Sequence, residues 1–88
     1  MGMAFRSTET TVTTTAVKIF EAQAGDVEIW VNCDPNATYY LGGSGVTTTD
    51  GLPMFGPSQQ FRSQVRPGDE LWAVSGGSVT VNVLARSA

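Results

Sequence analysis

The sequence predicts an all-β fold: a small β-sandwich of about seven short antiparallel strands, jelly-roll or Greek-key like, with a flexible N-terminal arm. Three observations predict it. Runs rich in β-branched and aromatic residues alternate apolar with polar, the period-two pattern of a half-buried strand. Clusters of Gly, Pro, Asp and Asn interrupt these runs at roughly 8–12-residue spacing, as in sandwiches and barrels. No 3.6-residue apolar period runs through three turns free of glycine or proline, so no helix is predicted.

Residues 1–10 are polar and poorly patterned and read as an arm that orders on binding a neighbour. Residues 11–88 then form a single sandwich domain. TVTTTAVKIF, residues 11–20, reads as the first strand, with Val17 and Ile19 on one side and Ala16, Lys18 and Phe20 on the other. AQAGD turns the chain at Gly25 and Asp26. VEIWVNC, residues 27–33, places Val27, Ile29, Val31 and Cys33 on one face and Glu28, Trp30 and Asn32 on the other. DPN, residues 34–36, is a turn with Pro35 fixing φ.

Residues 38–41 form a short strand that ends in the flexible GGSG of residues 42–45. VTTTDG adds a short extended piece and a D-G turn. GLPMFGPS, residues 51–58, reads as an irregular crossing that exposes or half-buries Leu52, Met54 and Phe55. Its length favours a jelly-roll or Greek-key connection over a meander. QQFRSQV is a strand with Phe61 and Val65 on one side, RPGDE a turn, and LWAVS a strand. Gly76 and Gly77 turn the chain into SVTVNVLA, with Val79, Val81 and Val83 facing in.

Bulk properties bound the function. An 88-residue chain of 9.3 kDa has room for one modest core, burying only about 60–65% of its unfolded surface. Marginal domains of this kind gain stability from partners. The net charge is −3, and Lys18, Arg62, Arg66 and Arg86 are scattered, so the concentrated positive charge that nucleic-acid binding needs is missing. Only 15% of residues are charged, which leaves a surface of Thr, Ser, Asn, Gln and Gly that packs against protein at little desolvation cost. The lone Cys33 has no internal disulfide partner and reads as a buried small hydrophobe. That fits folding in a reducing cytosol. The N-terminus lacks the hydrophobic region of a signal peptide, and no apolar run is long enough to span a membrane.

Catalytic constellations are excluded one by one. Without histidine there is no common serine triad or Cys-His pair. One cysteine and scattered carboxylates make a poor zinc set, and no cofactor motif is present. Most acids sit in turns, where Asp caps backbone N–H groups. GGSG lacks the following helix and lysine of a phosphate cradle. Asn36-Ala37-Thr38 matches the glycosylation pattern by chance in a chain without a secretory signal. Tyr39, Tyr40 and Phe61 read as packing residues rather than a stacking platform. Large residues on both strand faces remain. Trp30 lies opposite Ile29 and Val31, and Trp72 opposite Leu71 and Ala73. They close the ends of a small core or meet a partner. Phe5, Trp30, Leu52, Met54, Phe55 and Trp72 form the candidate interface set.

The order Tyr40-Leu41-Gly42-Gly43, Val46-Thr47-Thr48, Gly51-Leu52-Pro53, Pro67-Gly68-Asp69-Glu70-Leu71, Ala73-Val74 and residues 79–84 resembles small β-sandwich proteins of tailed bacteriophages. The resemblance covers about half the chain and is strongest to capsid decoration, or head cement, proteins. It implies a non-catalytic virion protein made in the bacterial host cytoplasm. The implied partners are the major capsid protein or another virion protein, with a homo-oligomer, a trimer above all, and neither nucleic acid nor membrane. A carbohydrate-binding module and a tail or head-fibre accessory domain that binds a receptor are the alternatives.

Overall fold

The computed structural model describes residues 5–23, 25–33 and 37–87. Eight strands follow one another: β1 (Arg6–Val12), β2 (Val17–Glu21), β3 (Val27–Cys33), β4 (Ala37–Gly42), β5 (Leu52–Gly56), β6 (Phe61–Val65), β7 (Glu70–Ser75) and β8 (Val79–Ser87). They form two four-stranded sheets, A in the order β1-β8-β3-β6 and B in the order β2-β7-β4-β5. The pairs β1–β8, β2–β7, β3–β6 and β4–β5 are all antiparallel. They are the rungs of one long hairpin, closed by β3–β8 and β4–β7. A long hairpin rolled on itself in this way is a jelly roll.

Alternation dictates the packing. Ile29, Val31 and Cys33 of β3 and Val79, Val81, Val83 and Ala85 of β8 point inward, against Ile19, Tyr39, Leu41, Met54 and Ala73 of sheet B. The even positions of β3, Glu28, Trp30 and Asn32, face out, as period two requires. At the RPGD turn, Gly68 has φ of 90°, a left-handed conformation that favours glycine. Asp69 N–H donates to the Arg66 carbonyl at 3.0 Å, and Arg66 N–H donates to Asp69 Oδ2 at 2.9 Å.

Three segments depart from the sequence reading. Residues 6–10, expected in an arm, belong to β1, which pairs with β8 along its whole length from Arg6↔Ala85 to Val12↔Val79. Its Ser, Thr and Glu residues carry little apolar pattern, and the pairing partner is distant in sequence. The single strand expected over residues 11–20 is two, broken at residues 13–16, which lets the chain pass from sheet A to sheet B. Leu52–Gly56, expected in an irregular crossing, is edge strand β5 on β4. Residues 46–49 are the irregular piece instead. They fold back so that Val46 is buried against Gly42, and a Cβ at Gly51 would strike the Val46 side chain. The expected turn at Pro35, the Asn36 motif and the first four residues of the expected arm lie outside the described residues.

Candidate functional site

The sandwich sorts the candidate residues onto different surfaces. Trp30 lies on the outer face of sheet A, between Leu84 of β8 and Arg62 of β6 in one cross-strand row. Phe5, just before β1, comes beside it, with ring centroids 6.3 Å apart and planes at 49°. Two guanidinium groups cover these rings. Arg62 Cζ is 5.6 Å from the Trp30 ring centre, and Arg86 Cζ is 5.9 Å from Trp30 and 5.8 Å from Phe5. Glu28, in the neighbouring row, ties both down. Its Oε2 accepts from Arg62 Nη2 at 2.6 Å and Nε at 2.7 Å, and its Oε1 lies 3.7 Å from Arg86 Nη2. Phe5 and Leu84 remain exposed at the border of the patch. Aromatic rings with stacked arginines are the composition of protein-recognition hot spots.

Trp72 lies on the outer face of sheet B, opposite Lys18 of β2 and Gly42 of β4. Its indole N–H donates to Glu70 Oε1 at 3.0 Å. Lys18 Nζ is 2.7 Å from Glu21 Oε1 and 3.9 Å from Glu70 Oε2. The hydrogen bond to Glu21 holds the lysine above its usual range. Phe55 and Leu52, on edge strand β5 of the same sheet, are about half exposed. Met54 points inward, opposite to Phe55, and joins the core at 7% exposure; Leu52 shares its parity but stays exposed at the start of the strand.

The six candidates therefore do not meet. Phe5 and Trp30 occupy one outer face, Trp72 the other, and Leu52 and Phe55 one flank of sheet B. Sequence reasoning missed Arg62, Arg86 and Glu28 as companions of Trp30. Glu28 and Trp30 were already on one face of their strand. Only the β3–β6 and β3–β8 registers bring the arginines beside them.

On the opposite flank, between edge strands β1 and β2, a slot of about 410 Å³ opens into the interior. Ile19, Val27, Val83 and Ala85 line it, and Arg6 and Thr8 of β1 stand at its border. Among the described residues no three His, Cys, Asp or Glu side chains converge as a metal site. Cys33 is fully buried. Among the described residues the arrangement offers surfaces for docking and no groups placed for bond making.

No family model matches the chain, and no curated protein matches it. One solved structure does, a chain from the work described as Bacillus endospore appendages forming a novel family of disulfide-linked pili. The likeness covers 99% of this chain and 87% of that one, with a TM-score of 0.55 at 15% identity. It establishes a shared fold. It also overturns the expectation of a bacteriophage capsid decoration protein, with its capsid partner, its trimer on a capsid and its virion location. The motifs behind that expectation are turn and edge features of a small jelly roll. Gly42, Val46 and Gly51 make one loop contact, and Pro67, Gly68 and Asp69 make one turn. Such pieces report local backbone geometry, which unrelated β-sandwiches share.

Proposed function

We propose that this chain is a non-catalytic structural subunit of an extracellular bacterial appendage, which assembles with copies of itself. The observation that carries this reading is the distribution of apolar surface over opposite sides of the sandwich: Phe5, Trp30 and Leu84 on one outer face, Trp72 on the other, and Leu52 and Phe55 on one flank. Separate patches on opposite sides cannot join in one self-complementary contact. They suit head-to-tail contacts, which extend into rings or open filaments. The fold likeness to an endospore-appendage chain supports the same reading. The two chains part on one point. The appendage family is disulfide-linked, whereas this chain has one cysteine and buries it completely, so its assembly is non-covalent at Cys33.

Electron microscopy and light scattering of the purified protein over a concentration series test the proposal. Filaments or long oligomers that persist in reductant are expected. A protein that remains monomeric at every concentration, or stops at a closed trimer, overturns it.

A further inference from the structure

We infer that sheet A continues from one copy into the next, with β6 of one molecule pairing antiparallel with β1 of its neighbour. The inference rests on the self-assembly proposed above and specifies its contact.

An unprotected sheet edge is a template for another strand, and proteins that avoid such pairing blunt their edges with prolines, bulges or charges. This sandwich has four edges and blunts two. In β2 the register with β7 breaks between Lys18 and Phe20. In β5, Pro53 has no N–H to offer. Both backbone groups of Phe55 are already taken: its N–H donates to Gln59 Oε1 at 2.7 Å, and its carbonyl accepts from Gln59 N–H at 2.9 Å and Ser58 Oγ at 3.3 Å. Both blunted edges belong to sheet B. The edges of sheet A, β1 and β6, carry charge at Arg6, Glu9 and Arg62, as the sheet B edge β2 does at Lys18 and Glu21, but they contain neither proline nor a register break.

Direction and shape select β6 against β1. Sheet A has four antiparallel strands, so its first and last run in opposite directions. Shifting a copy sideways therefore sets β6 beside the next β1 in antiparallel sense, with no rotation of the sheet. The flanks also complement one another. The β1 flank holds the slot floored by Ile19, Val83 and Ala85. The β6 flank carries the half-buried inward side chains Phe61 and Val65, beside exposed Leu52 and Phe55 of β5. Joining the two continues the core across the junction and covers the slot. Outward on the same strands, the row that holds Arg62 of β6 runs through Trp30 and Leu84 to Ser7 of β1, one outward position from Glu9. Two-fold pairing of β1 with β1 would place slot against slot and leave Phe61, Val65, Leu52 and Phe55 uncovered.

Cross-linking tests the contact. Ser7→Cys, Glu9→Cys and Thr11→Cys sit at outward positions of β1 in three registers, and Gln64→Cys sits outward on β6. Neighbouring antiparallel strands bring such residues within disulfide range. Each β1 variant is mixed with the β6 variant, assembled, oxidised and compared with each variant alone, while light scattering follows assembly. A cross-linked dimer in at least one mixture and in no single-variant sample is expected. A dimer from a β1 variant alone overturns the inference in favour of two-fold pairing. Full assembly without a cross-link in any mixture overturns this contact and leaves self-assembly standing. Absence of assembly in the unmodified protein overturns both.

Discussion

Gly56 backs directly onto Cys33 in the core: a Cβ at residue 56 would overlap the Cys33 sulfur and lie 2.7 Å from the Cys33 carbonyl oxygen. This contact joins β5 of sheet B to β3 of sheet A, where no ladder hydrogen bonds connect the two. Gly56→Ala is expected to destabilise the fold by about 1–3 kcal/mol, the usual cost of overpacking. Adding Cys33→Ala restores part of the loss, because the carbonyl clash persists. Urea unfolding of the two variants measures both effects, and an unchanged midpoint for Gly56→Ala would contradict this packing.

Tyr39 is fully buried, and its hydroxyl has no hydrogen-bond partner among the described residues. An unpaired buried hydroxyl costs about 1–3 kcal/mol, so Tyr39→Phe is expected to hold or raise stability. Burial, and secondarily the charge of nearby Cys33, pushes the phenol up to about 12 from its ordinary 10.0. The sign follows from linkage. Below pH 10 the folded and unfolded chains both keep the proton, and the contribution is complete. Between pH 10 and about 12 the unfolded chain releases it while the folded chain retains it, so stability falls as pH rises. The stability of wild type minus that of Tyr39→Phe should be level up to pH 10 and decline above it.

Glu28 holds Arg62 and Arg86 over Trp30 from a side chain only 20% exposed. Exposed ion pairs contribute little, but a carboxylate shared by two arginines is better placed. Glu28→Gln is expected to cost about 0.5–1 kcal/mol, an advantage of the wild type that shrinks in high salt. Release of the arginines should also shift the emission of Trp30, read against a Trp72→Phe background.

Cys33 has no solvent exposure. A thiol reagent should react with it only as fast as the fold opens, and rapidly in denaturant. Immediate labelling of the native protein would contradict the buried position. Reductant should leave any assembled form intact.

The legible part of this chain was its local alternation. VEIWVNC announced which residues of β3 face in and that Trp30 faces out, because period two is a property of the strand itself. The valines of β8 did the same. The missing histidines and the lone cysteine excluded most site chemistry without any structure. Illegible were the elements whose identity depends on a distant partner. β1 is polar, and only its pairing with β8, more than sixty residues later, makes it a strand. LPMFG carries a proline that a central strand rejects and an edge strand tolerates.

Sequence alone determined an all-β chain, the inward and outward faces of its clearest strands, and a surface poor in charge. Tertiary structure decided the rest: that Met54 is core, that Arg62 and Arg86 gather over Trp30, that apolar surface divides between opposite sides, and that sheet A rather than sheet B keeps open edges. The reason is range. Alternation, turns and composition act over a few residues, whereas register and strand order are set by contacts between segments far apart in the chain, and a one-residue slip in any of them would carry every side chain to the other face.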